Sequence, residues 1–295
     1  MTYFVSGAAG HLGRAVIHHL THTLHIVPQE IVAGTRDPAK LADLAANGVQ
    51  VRKADFDDEA GLVKALDDVE HFLIISTDAL DRPGRRLEQH QRAVKAAEKA
   101  GVTHIVYTSM PRPETSAVLF APDHLGTEKA IAASKIANQT LLRNNWYFEN
   151  ILHSMPHAVA SGSHYSAAGN GKIAHIGRDD LALAAATALV KGHGKQTYTL
   201  SGAKQYTTAQ IAELVSKVAG KPINVVEVPV EGLIQGMVGA GIPEPVAKVF
   251  ASFDTNTAQG GLEGDASDFK KLTGKDPHNF EDWLQGNRAA FTAAA

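Results

Sequence analysis

The chain contains no cysteine, which excludes disulfides, thiolate zinc sites, iron–sulfur clusters and cysteine nucleophiles. Long apolar runs are missing too: Leu181 to Val190, the longest of note, is about half of a membrane span. Nor does one sign of charge dominate. The formal net charge is −3, and the 28 basic and 31 acidic residues are spread evenly over both halves. Without a basic patch, nucleic acid and anionic membrane are poor candidates as partners. Met1-Thr2-Tyr3-Phe4-Val5-Ser6 lacks the charged flank and cleavage site of a targeting segment. These absences lead us to expect a soluble, cytoplasmic protein. What is present suits a folded body, with 44% hydrophobic and 20% charged residues over 295 positions. That composition excludes a disordered chain, and the length fits two units or one large α/β body.

The first half alternates short β-rich runs with helical stretches. Tyr3–Ser6, Ile31–Thr35, Val49–Ala54, His71–Ser76 and Val102–Thr108 read as strands. Between them lie a helix from His11 to about His22 and a second opened by Asp37-Pro38 and ended by Gly48. A third covers Asp57–Asp67, and a long fourth runs to Ala100 and stops at Gly101. The nearly continuous apolar run of His71–Ser76 suits a parallel strand buried on both faces. This alternation predicts an α/β fold with a Rossmann-type, doubly wound parallel sheet. Beyond Asn150 the rhythm loosens. Ser161–Lys172 is loop-like, Thr207–Ala219 a capped amphipathic helix, Val225–Val230 a strand, and Val230–Gly261 mostly helical around Pro243 and Pro245. We expect residues 1–150 to form a nucleotide-binding domain. Residues 151–295 are expected to form a smaller C-terminal α/β lobe on the substrate side, partly interleaved with the sheet.

Strand one runs into Ser6-Gly7-Ala8-Ala9-Gly10-His11-Leu12-Gly13 and then a helix. A tight turn, a close backbone approach and close helix–strand packing each favour a residue without a large side chain. The helix N-terminus then offers free N–H groups and partial positive charge to a pyrophosphate. Position between strand and helix, at the head of a βα array, is the context that makes such a turn informative. The G-x-x-G-x-x-G spacing resembles the extended and atypical branch of the short-chain dehydrogenase/reductase superfamily. At the end of strand two, where an NAD site would carry a carboxylate, stands Arg36. A guanidinium suits a 2′-phosphate, and Asp37 beside it is explained as a helix cap. The expected cofactor is therefore NADPH, with NADH weaker. By position in such a fold, Asp55 and Phe56 would flank the adenine. Ser76, Thr77 and Asp78 would border the nicotinamide-side ribose and phosphates.

Alcohol oxidation in this superfamily uses Tyr-x-x-x-Lys, a phenol that relays the proton and an ammonium that lowers its pKa. None of the six tyrosines is followed four residues later by lysine. His124 and Glu128 occupy the two places instead. What remains is hydride transfer to an acceptor needing little acid catalysis, or nucleotide binding without chemistry. A quinone fits the first: it is electron-poor, and its hydroquinone oxyanion is a far weaker base than an alkoxide. His18, His19, His22 and His25 cluster on the first helix without a third ligand in view, so a solvated face is expected rather than a metal. His153 and His157, four apart, are read as packing around the cleft.

Several segments carry a closer resemblance: Thr108-Ser109, His124-Leu-Gly-Thr-Glu128, Leu141-Leu-Arg-Asn144-Asn145-Trp146-Tyr147-Phe148-Glu149-Asn150 and Ala167-Ala-Gly-Asn-Gly-Lys-Ile173. With Arg178-Asp179-Asp180 and the late Gly239-Ala-Gly-Ile-Pro-Glu-Pro245, the chain resembles the NmrA-like atypical short-chain reductases over nearly its whole length, its bacterial quinone and triphenylmethane-dye reductases above all. It departs from them at Asn145, where a small residue is expected, and at Ala9 and His11 within the turn. The resemblance implies that the segment after strand six closes over the nicotinamide. Asn144, Glu149 and Asn150 would then serve the cofactor, and Trp146, Tyr147 and Phe148 would line the substrate pocket. It implies an NADPH-dependent oxidoreductase that passes hydride to a quinone or similar conjugated acceptor, with neither flavin nor metal. Two other readings stay open, a non-catalytic NADP(H)-sensing regulator and a dye or xenobiotic reductase. His124 is the candidate for contacting the acceptor or donating a proton. Whether the protein is a homo-oligomer is left open.

Overall fold

A computed structural model describes residues 1–292. Seven strands form one parallel sheet in the order β3-β2-β1-β4-β5-β6-β9. They are β1 (Tyr3–Val5), β2 (Ile31–Thr35), β3 (Gln50–Lys53), β4 (His71–Ile74), β5 (His104–Ser109), β6 (Asn138–Asn144) and β9 (Lys195–Leu200). The helices between them are α1 (His11–His18), α2 (Ala42–Ala46), α3 (Glu59–Ala65), α4 (Arg85–Ala100), α5 (Ala121–Ala133) and, before β9, α7 (Arg178–Lys191). All six strand pairings are parallel. This is a Rossmann-type doubly wound α/β fold, as the alternation predicts.

Side chains alternate across β1, so Tyr3 and Val5 join the core beneath α1 and α7 while Phe4 joins the core beneath α3 and α4. Both faces are covered, which is why β1, β2 and β5 are buried throughout. Local chemistry sets the helix ends. The side chain of Asp37 accepts from the Ala39 N–H at 3.2 Å, and that of Asp58 from Gly61 at 2.9 Å. Gly101 ends α4 with φ +79°. The first helix is α-helical only to His18 and widens into a π turn over His19–Thr23.

After β6 come α6 (Met155–Ser161), β7 (Ser163–Ser166) and β8 (Lys172–Ile173). Beyond β9 lie β10 (Tyr206–Thr207), α8 (Thr208–Ala219), β11 (Asn224–Glu227), α9 (Val230–Gly239) and α10 (Glu244–Ala258), then α11 (Ser267–Thr273), α12 (Phe280–Gly286) and α13 (Arg288–Thr292). Thr207 and Gln210 cap α8 reciprocally. A separate core joins Phe148, Ile151 and Met155 to α8 and α12, whereas α7, β9 and α11 pack with the main sheet. Two expectations need correction. The loop-like Ser161–Lys172 contains β7, which pairs in parallel with β11; the serines and glycines that flank this short strand hid its character. The strand over Val225–Val230 ends at Glu227, because Pro229 fixes the extended residue before α9.

Candidate functional site

β1 has β2 on one side and β4 on the other, so the strand order reverses about it. In open α/β sheets ligands bind at such a switch point, beyond the carboxyl ends of the strands. The glycine turn starts there. The Ser6 hydroxyl accepts from the Ile75 N–H at 2.9 Å, and the Ala8 N–H donates to the Gly34 carbonyl at 3.0 Å. Gly7 has φ +60°, a conformation that favours glycine. A Cβ on Gly13 would strike the Gly7 carbonyl oxygen and lie 2.7 Å from Ala8 Cα, so this glycine serves packing. A Cβ on Gly10 would meet only the Gly7 oxygen, at 3.3 Å. No side chain caps α1, and its N-terminal N–H groups are left for an anion. Ala9 is half-buried, Leu12 is core, and the His11 ring is exposed. Arg36, at the end of β2, is exposed and has no hydrogen-bond or ion-pair partner among the described residues.

The Asp55 carboxylate accepts from the Asp57 N–H at 3.0 Å. The ring of Phe56 is 8% exposed and packs 6.5 Å from Phe72. Phe56 thus belongs to the core and does not present a face to adenine, a correction that follows from its burial. Ser76 donates its N–H to the Thr108 hydroxyl at 2.9 Å, Thr77 has a buried hydroxyl without a partner, and Asp78 is exposed.

Next to the switch point, a cavity of about 1220 Å³ opens at the carboxyl ends of β5 and β6. Of the expected residues, Ser76, His124, Asn144, Trp146, Tyr147 and Asn150 line it. Neither amide atom of buried Asn144 has a hydrogen-bond partner among the described residues, so the place suits a polar ligand group. Two expected residues lie elsewhere. Phe148 is 1% exposed and packs against Phe280 and Trp283 at 5.1 and 5.6 Å; it is core, not pocket wall. The Glu149 carboxylate accepts from the Arg178 N–H at 3.1 Å and holds the start of α7. His153 and His157 do line the cavity. At the end of α1 and just beyond it, His18, His22 and His25 are exposed, but His19 is buried between Thr23 and Asp179. No set of three metal-ligating side chains converges among the described residues.

The remaining wall was not foreseen: Arg86 from α4, Phe120 before α5, and Leu233, Met237 and Phe253 from α9 and α10. The apolar spacing of the late helices signals a buried face but not what it covers. Arg86, in the polar Arg85-Arg86 pair, reads as an ordinary solvated helix start. In the fold it is 7% exposed, its guanidinium carbon lies 5.0 Å from the Phe120 ring centroid, and its Nε has no partner.

Beneath the cavity runs a buried hydrogen-bonded chain. The Thr77 N–H donates to His90 Nε2 at 3.0 Å. His90 Nδ1 lies 2.9 Å from the Thr127 hydroxyl and 3.4 Å from the Tyr107 phenol, and that phenol lies 2.8 Å from His124 Nδ1. Burial, helped by the Arg86 charge, lowers His90 to about 3. Burial again, then Arg86 and His90, holds His124 well below the usual imidazole range, and burial raises Tyr107. At physiological pH both histidines are neutral. Glu128, four residues along α5, accepts from the Ser109 hydroxyl at 2.6 Å and from Arg143 at 2.7 Å.

A glycine turn at the switch point, an unpaired arginine at the next strand end and an adjoining aromatic cavity define a Rossmann-type nucleotide-binding protein with a second, apolar compartment. Residues 2–284 match the NmrA-like family, and the chain belongs to it. It is 40% identical over 271 residues to quinone oxidoreductase 2 of Escherichia coli, covering 92% of this chain and 93% of that one. The structure of an NADPH-dependent quinone oxidoreductase from E. coli complexed with NADPH superposes with a TM-score of 0.91 at 38% identity, over 97% of this chain and 99% of that one. Triphenylmethane reductase of Citrobacter sp. complexed with NADP(H) gives 0.88 at 35% identity, with coverage of 97% and 99%.

Proposed function

We propose that this protein is an NADPH-dependent reductase that transfers hydride to a quinone or similar conjugated acceptor. The observation that carries this reading is the open, aromatic-walled cavity beside the orphaned amide of Asn144. A purely sensing protein has no need of such a compartment. The relatives that bear the names of quinone and dye reductases support the same class of acceptor.

The residues present fit the cofactor. The N–H groups at the start of α1, opened by Gly7 and Gly10, would hold the pyrophosphate. Arg36, with no partner among the described residues, would hold the 2′-phosphate and favour NADPH over NADH. Ser76, Asn144 and Asn150 would border the nicotinamide end. Once bound, NADPH supplies a hydride, that is, two electrons and one proton. The contribution of Trp146, Tyr147 and Phe120 is to hold a flat acceptor at near-attack distance and to exclude water. Neither flavin nor metal enters this scheme. In this reading residues 1–150 are the nucleotide-binding part, the later segment supplies the acceptor side, and the enzyme works in the cytoplasm, where NADPH is available.

The test is NADPH oxidation by the pure protein against a panel of quinones and dyes. Turnover of small quinones is expected. Tight NADPH binding with no turnover of any acceptor would move the function to sensing.

A further inference from the structure

Arg86 is a cation buried to 7% exposure with no hydrogen-bond or ion-pair partner among the described residues, and it faces the cavity. It sits in the first turn of α4, where the helix dipole also opposes positive charge. A buried, uncompensated charge costs several kcal/mol. The Phe120 ring and, at longer range, the carboxylates of Asp123 and Asp78 offset part of that cost, but none of the described residues pairs with the guanidinium directly, so a contacting anion would come from outside the protein. The rest of the wall is largely aromatic and apolar, which suits a neutral planar acceptor rather than one already charged.

Hydrogen-bond directions settle what His124 offers. A backbone N–H can only donate, so His90 Nε2, which receives it from Thr77, carries no proton. The proton of neutral His90 is therefore on Nδ1 and points at Thr127, whose own hydroxyl proton goes to the Asp123 carbonyl at 2.7 Å. Tyr107 is then left with one acceptor, Nδ1 of His124, at 2.8 Å. Neutral His124 must carry its proton on Nε2, which has no protein partner among the described residues, and its ring borders the cavity. The Phe120 ring lies beside both groups, 5.0 Å from the guanidinium carbon and 5.9 Å from the His124 centroid.

We propose that Arg86 and the Nε2–H of His124 together bind the oxyanion formed when hydride reaches the acceptor, with Tyr107 and His90 as positioning residues that fix the donor tautomer. This rests on the reductase reading above. The hydride leaves a C–H bond of NADPH with both bonding electrons and forms one O–H bond on the quinone, while an electron pair moves onto the other oxygen, leaving NADP⁺ and a hydroquinone monoanion. Its second proton comes from water. The chain behind His124 cannot supply that proton repeatedly, because it ends at a backbone N–H. His124 is thus a hydrogen-bond donor to the oxyanion, and Arg86 supplies the charge. Because the anion exists only after hydride transfer begins, the pair acts on kcat rather than on substrate affinity.

Three measurements test this. Arg86→Gln should lower kcat for small quinones by at least about 100-fold, with quinone KM and NADPH Kd within about threefold and Tm unchanged or raised. A rise in KM alone would assign Arg86 to a fixed anionic group on the substrate, and weaker NADPH binding would assign it to the cofactor; either overturns the proposal. Second, 4-nitrophenol bound in the presence of NADP⁺ should be present as the coloured phenolate at a pH where free phenol is mostly neutral, and Arg86→Gln should abolish that shift. Phenol bound in its neutral form would overturn the oxyanion site. This binding assay needs no turnover, so a phenolate shift without quinone reduction would remove the reductase reading and leave the anion site standing. Third, ¹⁵N NMR should find His124 protonated at Nε2, and Tyr107→Phe should allow the Nδ1 tautomer to appear and lower kcat. An Nδ1–H tautomer in the wild type would refute the positioning chain.

Discussion

The carboxylate of Glu128 is held by the guanidinium of Arg143 at 2.7 and 3.0 Å, across the gap between α5 and β6. Glu128 stands where an alcohol-oxidising relative would carry the lysine of its acid–base pair. Here the position has a structural duty instead, joining β6 to the Ser109 hydroxyl at the end of β5. A carboxylate so engaged cannot lower the pKa of a neighbouring phenol, and the site is left to chemistry that needs no such help.

Breaking this pair should therefore damage the fold before it damages the reaction. Glu128→Ala leaves the partly buried Arg143 with only the exposed Glu114. Loss of one partner of a buried pair costs about 3–5 kcal/mol, which at about 2–4 °C per kcal/mol is a readily measured fall in Tm. Glu128→Gln, which still accepts from Ser109, should lose less. An unchanged Tm for the alanine variant would show that the pair contributes nothing to stability.

Arg36→Ala should weaken NADPH binding by about 1.5–3 kcal/mol, the range for a charge-assisted contact, and leave NADH nearly unaffected. Titration of both cofactors against the variant decides the matter. Equal losses for the two would remove Arg36 from the 2′ position.

The two turn glycines should behave differently. Gly10→Val should abolish cofactor binding in a folded protein, since only one backbone oxygen lies within 3.3 Å of the new Cβ on the protein side. Gly13→Ala should lower Tm, because its methyl would press on Ala8 Cα at 2.7 Å. Normal NADPH binding by folded Gly10→Val would show that the pyrophosphate approaches elsewhere.

The alternation of strands and helices, the parallel sheet and the place of the glycine turn between β1 and α1 were legible because each rests on local pattern: period and turn chemistry. Phe148 and Phe56 were misread because an aromatic ring next to a site residue looks the same in sequence whether it faces the pocket or the core. Arg86 was missed for the opposite reason. Its ring partner Phe120 stands 34 residues further along the chain, and no window around Arg86 contains that information. Asn145, the departure from a small residue, becomes intelligible only in the fold: its amide donates to the Ser201 hydroxyl and the Leu262 carbonyl at 3.1 and 3.0 Å, tying the end of β6 to the segments that follow β9 and α10.

Acid should destabilise the protein well before its carboxylates are protonated. His90 is lowered to about 3 by burial and Arg86, and His104 to about 4 by burial and the nearby His71 and His193. His175 is lowered to about 4 by burial alone. Unfolded, each would bind a proton below about pH 6.5. The unfolded state then holds more protons than the native one, so stability is full above that pH and falls as pH drops toward 4. Each group contributes about 1.4 kcal/mol per pH unit within this window. Tm should decline steadily from pH 6.5 to 4.5, and His104→Asn should flatten the decline. A Tm independent of pH over that range would mean these rings are protonated in the fold.

His124 divides a positioning mechanism from an acid–base one. If it only donates a hydrogen bond while Arg86 supplies the charge, His124→Ala should slow quinone reduction about tenfold, short of the ~10²–10⁴-fold expected for an essential proton donor. Because the ring stays neutral down to low pH, kcat of the folded enzyme should show no inflection near the usual imidazole value. Trp146→Ala should impair quinone use more than NADPH binding, since Trp146 borders the acceptor cavity and packs 5.4 Å from Phe253 at its wall. A loss beyond ~10³-fold for His124→Ala, together with an inflection in the wild-type profile that the variant lacks, would make His124 the proton donor and overturn the positioning account.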